Sequence, residues 1–261
     1  MTAKESNFIA RKYVKENIYG LAKIELPHIT FPQTEEILEK SKLYGVNSED
    51  VLTVINLKTA WSYIVQNIAS DITKDVILKL HAKIAYNQAL DWGVLRYGQV
   101  GITGTDYTPI DPREEPGKLE ELFNNTLNNF NMLRKEYPIE ATLDYLTSAI
   151  KSQFFWDGNK RTALATANIA LLQSGNGVIG INDDNFREFS KALTHYYNTD
   201  NKNQLINILY NSCINTYHFD PNNTFNFNDY TDAKEKLCGK KSEGKIKEAS
   251  HATIKKWKNT R

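Results

Sequence analysis

Apolar residues recur three or four positions apart along most of the chain, which is the spacing of amphipathic helices. The pattern predicts helices over residues 2–25, 33–39, 48–69, 73–89, 118–135, 139–152, 159–172, 183–197 and 202–217. The run from Asn159 to Leu172 differs from the others, because it contains neither glycine nor proline and is apolar on every side. A helix of that kind is buried, so we predict that it is the central helix of a mainly α fold.

Residues 93–109 depart from this helical pattern. The segment is rich in glycine and in β-forming residues, with turn residues between them. Such a composition predicts a β-hairpin, and the range from Val100 to Tyr107 is its candidate tip. A surface hairpin without a binding partner is the alternative interpretation.

Charge is distributed unevenly behind a net total of +1. Residues 231–261 carry nine lysines and one arginine against four acids, a net charge of +6, whereas the rest of the chain carries −5. An Asn-rich run of turn-forming residues, 218–230, precedes this basic tail and predicts a linker. The chain is therefore divided into an N-terminal helical region 1–45, a core domain 46–217, the linker 218–230 and the tail 231–261.

The basic tail contains a second motif, which runs from Ser250 to Trp257. It resembles the recognition helix of some helix-turn-helix proteins, and its positive charge suits a phosphate backbone. A nucleic acid is therefore one candidate partner. The alternative is a solvated, partly helical tail, because the helix that should precede such a motif is poorly formed.

Several classes of protein are disfavoured by the sequence. No apolar run approaches the roughly 20 residues of a membrane span, and residues 1–7 lack the apolar core of a secretory signal. Cys213 and Cys238 do not have the spacing of metal ligands, which favours a reduced compartment over a disulfide scaffold. We therefore expect a cytoplasmic protein without a membrane partner. The oligomeric state is left open, and a homo-oligomer is compatible with the sequence.

The start of the central helix carries the candidate chemistry. Asp157 and Gly158 precede the helix, and Asn159, Lys160 and Arg161 form its first turn. Free backbone N–H groups and the positive end of the helix dipole make such a terminus an anion site. The two cations strengthen the attraction for phosphate, and Asp157 can hold a magnesium ion that bridges phosphates. The alternative is an ordinary cap and turn with solvated cations.

The same segment resembles the signature of the Fic/Doc family, whose motif leads into an Ala-rich helix. The positions that match are Phe155, Asp157, Gly158, Asn159 and Arg161. Three positions differ, since Gln153 stands for the motif histidine, Lys160 for the second glycine and Leu164 for the second arginine. The resemblance implies a Fic fold, a helical bundle around a buried central helix with one small β-hairpin that is called the flap.

The resemblance also implies a reaction. Fic/Doc proteins transfer AMP (adenylylation) or phosphate from ATP, with Mg²⁺, to a serine, threonine or tyrosine hydroxyl of a target protein, as toxin-like or regulatory enzymes. By resemblance, Asp157 holds the metal and Arg161 clamps the phosphates. Gly158, Asn159 and Lys160 form the anion hole. Lysine followed by arginine resembles the Doc branch, which favours phosphate transfer.

Two further regions acquire roles from the resemblance. Glu25 resembles the glutamate that blocks the nucleotide site in N-terminally inhibited family members. Its usual partner arginine is replaced by Leu164, so pairing with Lys160 or Arg161 is the fallback. The alternative for Glu25 is an exposed charge at a helix end. The predicted flap, which would dock the target segment as an added strand, comprises Val100, Gly101, Ile102, Thr103, Gly104 and Thr105.

Gln153 weakens the expected catalysis. A carboxamide can orient a hydroxyl but has no useful basicity, and a general base typically contributes ~10²–10⁴-fold. His81 or Asp157 is a weakly supported substitute base, and a lone histidine on a half-apolar helix is more often structural. Three hypotheses follow: a Fic/Doc-type transferase, a catalytically inactive Fic-fold protein that binds a nucleotide or a partner, and a nucleic-acid-associated regulator that uses the tail.

Overall fold

The structure is a computed structural model that describes residues 1–41, 45–216 and 225–238. The motif at 250–257 lies outside the described residues. In chain order the helices are α1 (Ala3–Lys12), α2 (Val14–Ala22), α3 (Phe31–Lys40), α4 (Ser48–Gln66), α5 (Lys74–Ile84), α6 (Lys118–Leu133), α7 (Pro138–Ser152), α8 (Asn159–Gln173), α9 (Asp183–Thr199), α10 (Asn203–Ile208) and α11 (Phe227–Cys238). A π-helical turn, Leu209–Cys213, continues α10. The prediction of a mainly α fold is confirmed.

Helix α8 is the central helix, as its sequence predicts. Thirteen of its fifteen residues are buried, and α1, α2, α4, α5 and α7 pack around it. Its side chains are mostly alanine, leucine and threonine, so neighbouring helices can approach from every side. Apolar residues of the N-terminal helices lie in the same hydrophobic core. The indole N–H of Trp61 on α4 donates to the carbonyl of Ala10 on α1 at 2.8 Å, which ties the N-terminal region to the core.

One helix was predicted over residues 2–25, but the chain forms two. The break lies at Tyr13, whose backbone leaves the helical region with φ −106° and ψ 41°. Helix α1 begins with a capping box in which Thr2 and Glu5 satisfy each other's backbone N–H groups. The chain leaves the second helix at Ala22, so Glu25 lies in the turn that follows α2.

The sheet does not lie where the sequence predicted it. Strands β1 (Val178–Ile179) and β2 (Ile214–Asn215) pair antiparallel, with Val178 opposite Asn215. No backbone hydrogen bond joins the two arms of the predicted hairpin at 93–109, which lies wholly within the described residues. The segment forms a loop instead of a hairpin, because side-chain hydrogen bonds hold it in place of backbone hydrogen bonds between two strands. The amide of Gln99 donates to the carbonyl of Pro109, and the Thr105 hydroxyl to the Asn198 side chain.

Residues 225–230, the described part of the predicted linker 218–230, do not form an open connection. Helix α11 begins at Phe227, and both Phe227 and Tyr230 are buried. The Tyr230 hydroxyl donates to the carboxylate of Asp144, an interior residue of α7, at 2.6 Å. Lys234 of α11 and Lys202 form ion pairs with the same carboxylate. Residues 225–238 are therefore packed on the core, because an aromatic face and a buried ion pair hold them there.

None of the helices in the described part of the chain combines the length and the apolar character that a membrane span requires.

Candidate functional site

The loop between α7 and α8 is built around the side chain of Asn159. Its Oδ1 accepts from the N–H of Phe155 at 2.8 Å, and its Nδ2 donates to the carbonyl of Phe155 at 2.8 Å. The same Nδ2 donates to Oε1 of Gln153 at 3.0 Å. Asn159, predicted as part of the anion hole, thus holds the loop with its side chain and leaves only its backbone N–H for a ligand.

Gly158 precedes α8 in a conformation that favours glycine. Its φ is +73°, in the left-handed region. A Cβ atom here would lie 3.4 Å from side-chain atoms of Ile84 and Ala85. The residue therefore lets the loop lie close to α5 and directs the chain into the helix. Because glycine occupies the N-cap position, the first turn of α8 has no side-chain hydrogen bond from its cap residue.

A cavity of about 430 Å³ opens at this helix start. One wall is the loop of residues 100–105, and a second wall is α9. The cavity is lined by Glu25, Val100, Gly101, Ile102, Thr103, Gly104, Thr105, Gln153, Trp156, Asp157, Asn159, Lys160, Ser190, Leu193, Thr194 and Tyr197. The structure thus brings together the predicted flap residues, Glu25 and five residues of the motif segment around one space.

Glu25 and Lys160 meet at this cavity. The ammonium of Lys160 lies 3.3 Å from the carboxylate of Glu25, and both side chains are about one third exposed, at 32% and 31%. Of the two fallback partners, Glu25 therefore has Lys160. Leu164, at the position of the second motif arginine, is fully buried in α8 and offers no charge.

Asp157 presents the half-exposed carboxylate of the site. Its Oδ1 accepts from the N–H of Gly158 at 2.6 Å, and its Oδ2 forms an ion pair with Arg161 at 3.0 Å. The side chain of Asp157 is 44% exposed. Each carboxylate oxygen has a second lone pair, so a ligand can still approach from the cavity.

Arg161 does not line the cavity, in contrast to its predicted role as a phosphate clamp. Its side chain is 2% exposed. The guanidinium lies below the loop, where it donates to Asp157 and, at 3.1 Å, to the amide oxygen of Gln88. The guanidinium Nε has no hydrogen-bond partner in the described structure. Arg161 therefore supports Asp157 from the interior.

His81 is a structural residue of this loop. Its ring is fully buried and stacks on Phe155 with 3.8 Å between centroids. The N–H of Gly93 donates to Nδ1 at 2.9 Å, so the proton lies on Nε2, which donates to the carbonyl of Asp157 at 2.9 Å. Burial lowers the pKa of His81 to about 4. With both nitrogens engaged inside the protein, His81 is no substitute base.

Gln153 reaches the cavity with an amide that is already bonded. Its Nε2 donates to the carbonyl of Ile150 at 2.7 Å, while its Oε1 accepts from Asn159. The backbone of Gln153 is left-handed, with φ 50°, because it ends α7 and turns the chain toward α8. The position of the motif histidine is therefore filled by a neutral group that is held in place by hydrogen bonds.

A resident metal site is not built here. Across residues 1–41, 45–216 and 225–238, no three histidine, cysteine or acidic side chains cluster as metal ligands would. Magnesium usually takes one or two carboxylates together with substrate phosphates. One half-exposed carboxylate, Asp157, suits an ion that arrives with a nucleotide.

The wall from α9 was missed at the sequence level. Ser190, Leu193, Thr194 and Tyr197 follow the spacing of a helix face. That spacing looks the same whether the face covers a core or lines a cavity. Burial raises the pKa of Tyr197, so this tyrosine stays protonated.

Comparison with known proteins shows what the chain is similar to. Residues 71–171 match the model of the Fic/DOC family. A segment of Fic-1 from C. elegans superposes with a TM-score of 0.65 at 21% identity, which covers 80% of this chain and 62% of that one. A Fic domain containing signaling protein from Bacteroides thetaiotaomicron superposes with a TM-score of 0.63 at 18% sequence identity. The superposition covers 92% of this chain and 93% of that protein. A Fic family protein from Desulfovibrio desulfuricans superposes with a TM-score of 0.56 at 16% sequence identity. The superposition covers 80% of this chain and 66% of that protein.

Proposed function

Because residues 71–171 form a Fic/DOC domain, we propose that the chain binds ATP with Mg²⁺ at the start of α8. We further propose that it transfers phosphate, or alternatively AMP, to a hydroxyl side chain of a target protein. The observation that carries the proposal is the shared cavity, in which the start of α8 faces the loop of residues 100–105. One wall suits phosphates and the opposite wall suits a peptide.

The phosphate wall follows from the helix start. The first N–H groups of a helix have no partner within it, and no side chain caps α8. The helix dipole adds positive potential at the same point. Lys160 adds a mobile ammonium once it leaves Glu25. These groups together suit the phosphate chain of a nucleotide.

The peptide wall follows from unpaired backbone. None of residues 100–105 forms a backbone–backbone hydrogen bond with another described residue. An extended target segment can pair with such a wall as an added strand. Its hydroxyl side chain then points across the cavity toward the phosphates.

The residues present favour phosphate transfer. In this step the target hydroxyl oxygen forms a bond to the γ-phosphorus, the bond from that phosphorus to ADP breaks, and the hydroxyl proton passes to solvent or to a phosphate oxygen. Phosphoryl transfer of this kind depends mainly on positioning and charge stabilisation, so it tolerates the loss of a base at Gln153 best. Bound Mg²⁺, held by Asp157 and the phosphates, would neutralise part of the phosphate charge.

A second candidate function is nucleotide binding without transfer. It is favoured by the amide of Gln153, which is neutral and is held by Ile150 and Asn159. In this case the cavity still binds the phosphates, but no group takes the hydroxyl proton. The protein would then act through its bound state.

Labelling with ATP separates these functions. Protein incubated with ATP labelled at the γ-phosphate is expected to become labelled by phosphate transfer, and label from the α-phosphate indicates adenylylation instead. Binding without either label leaves the second candidate. The variant Gln153→His is expected to raise the labelling rate, whereas Gln66→His, on the exposed end of α4, leaves it unchanged. Absence of ATP binding in a titration would remove both candidates.

A further inference from the structure

We propose that Arg96 is the positioning residue of the cavity wall at 100–105, which it holds by fixing both ends of the loop to the chain before α8. The guanidinium donates three hydrogen bonds, all to backbone carbonyls. Nη1 donates to Gly98 at 2.7 Å, Nη2 to Ile110 at 2.7 Å and Nε to Gln153 at 2.5 Å. This inference rests on the proposed function only in so far as the wall is taken to be the docking surface for a target peptide.

The placement of the three carbonyls carries the inference. Gly98 and Ile110 bracket the loop, and Gln153 ends α7 directly beside the cavity. No backbone ladder joins the two arms of the loop. Together with the Gln99 amide, which joins the same two arms through Pro109, the Arg96 side chain replaces a hairpin ladder. Arg96 alone also sets the distance between the loop and the segment that leads into α8.

Arg96 acts through other residues and not by contact with a ligand. It is 2% exposed and does not line the cavity. Its own backbone N–H donates to the carbonyl of Phe154 at 3.0 Å. The residue is therefore anchored to the α7–α8 connection and reaches outward to the loop.

The chemistry explains why arginine stands at this position. Burial lowers the pKa of Arg96, and Asp111, which lies nearby, raises it without forming an ion pair within 4.0 Å. A buried cation with carbonyl partners alone is costly to the fold. The planar guanidinium of arginine reaches several acceptors at fixed angles, which the single ammonium of lysine cannot do.

Trp156 provides a local reporter for the loop. Its ring packs so closely on Gly98 that a Cβ atom there would lie 2.6 Å from Cη2. The chain has four tryptophans. Among them, Trp61 of α4 is fully buried against α1 and reports on the fold itself. Fluorine NMR of protein labelled with 5-fluorotryptophan separates the two sites, with Trp156→Phe used for assignment.

The test compares Arg96→Lys with Arg134→Lys. Arg134 serves as the control, because it is a partly buried arginine whose side-chain hydrogen-bond partners, Asn131 and Gln173, are uncharged like those of the fully buried Arg96. In Arg96→Lys we expect the Trp156 resonance to shift or broaden while the Trp61 resonance stays in place. The amide hydrogens of Arg96 and Tyr107, which donate to the Phe154 carbonyl and the Thr105 hydroxyl, are expected to exchange about tenfold faster. The control should change neither. An unchanged Trp156 resonance with unchanged exchange in the folded variant would overturn the proposal.

A measurement on the wild-type protein covers the case in which Arg96→Lys does not fold. The Nε–H of Arg96 should exchange with water about a hundredfold more slowly than that of Arg113, whose side chain is 65% exposed. Equal exchange rates would contradict the three buried hydrogen bonds and the proposal with them. Neither measurement involves a nucleotide, so failure of the proposed function leaves this test intact.

Discussion

Lys160 at the first turn of α8 and Glu25 after α2 form an ion pair of 3.3 Å at the candidate cavity. The pair joins the N-terminal region to the residue that we propose for phosphate binding. Both side chains are partly solvated, so the pair contributes about 1 kcal/mol or less. A bound phosphate and Glu25 therefore compete for the same ammonium group.

The first prediction concerns Glu25→Gln. Removal of the carboxylate frees Lys160, so the Kd for Mg·ATP should fall roughly fivefold, the equivalent of about 1 kcal/mol. Isothermal titration calorimetry measures this change. Glu39→Gln is the matched control, because Glu39 pairs with the surface residue Lys15 in the same region, and its Kd should stay at the wild-type value. Equal affinity in Glu25→Gln would show that the pair does not restrain the site.

The second prediction concerns Asp157→Asn. This change leaves the buried guanidinium of Arg161 without its anion. Because Asp157 is 44% exposed, the cost is discounted to about 1–2 kcal/mol, and the melting temperature should fall by about 2–8 °C. Differential scanning calorimetry measures it. Asp75→Asn, which removes one partner of an exposed ion pair with Lys79, should have little effect.

Magnesium removal extends this test. EDTA should leave the melting temperature of nucleotide-free protein unchanged, since the described residues contain no cluster of metal ligands. In the presence of ATP, EDTA should remove part of the stabilisation in the wild type and none in Asp157→Asn. Equal loss in both proteins would argue against Asp157 as the magnesium ligand.

The sequence predicts α8 well, because its burial follows from composition alone. Alanine and leucine on every side leave no polar face that could meet water. The glycine in the left-handed conformation at 158 was likewise placed correctly before the helix. Signals of this kind are local, and they survive in the fold unchanged.

The roles of Lys160 and Arg161 show where local signals end. The two are adjacent in the chain, but successive residues of a helix point about 100° apart. Adjacent positions can therefore meet different surroundings, and of these two only Lys160 lines the cavity. Lys160 faces Glu25, whereas Arg161 turns inward to Asp157 and Gln88. The sequence shows two cations, but it does not show that Arg161 is the one buried beneath the segment that follows α5, where Gln88 lies.

The predicted hairpin, and the described end of the predicted linker from residue 225 onward, differ from the structure for a related reason. Glycine and β-forming residues at 93–109 predicted a β-hairpin, but the segment is a loop that Arg96 holds through three backbone carbonyls. Residues 227–230, at the end of the predicted linker, begin a helix whose Tyr230 reaches Asp144. Contacts between distant positions decided both structures, and a local pattern carries no information about them.

The third prediction concerns Asp144→Asn. Burial by itself raises the pKa of Asp144, but the ammonium groups of Lys202 and Lys234 outweigh it and hold the pKa below the ordinary value of 3.8. A lowered pKa in the folded state means that the carboxylate stabilises the fold above that value and loses this effect as the pH falls below it. The variant leaves two cations without their anion, so we expect a loss of about 3 kcal/mol at pH 7.

Urea unfolding at several pH values measures this effect. The difference between wild type and Asp144→Asn should shrink as the pH falls from 5 to 3. Asp200→Asn serves as the control, since Asp200 also pairs with a lysine, Lys151, but is 73% exposed. A difference that is constant with pH would contradict the buried ion cluster.

The fourth prediction concerns the pH dependence that His81 introduces. Its pKa is lowered from 6.5 to about 4 by burial, so between these values the unfolded chain binds a proton that the folded protein does not. The free energy of unfolding should therefore rise with pH in this window, with a slope of up to about 1.4 kcal/mol per pH unit. His81→Gln should lose that slope, whereas His28→Gln, on the exposed side chain that pairs with Asp50, should keep it.

Urea unfolding between pH 4 and 7 tests this prediction, and NMR titration of the His81 ring measures its pKa directly. Protonation of Nδ1 would turn the acceptor of the Gly93 N–H into a second donor, and the two N–H groups would then repel each other. The bond from Nε2 to the Asp157 carbonyl fixes the loop before α8, so acid should loosen the site before it unfolds the protein. Parallel stability curves for wild type and His81→Gln would show that the ring is solvated and free to take a proton, which would restore it as a candidate base.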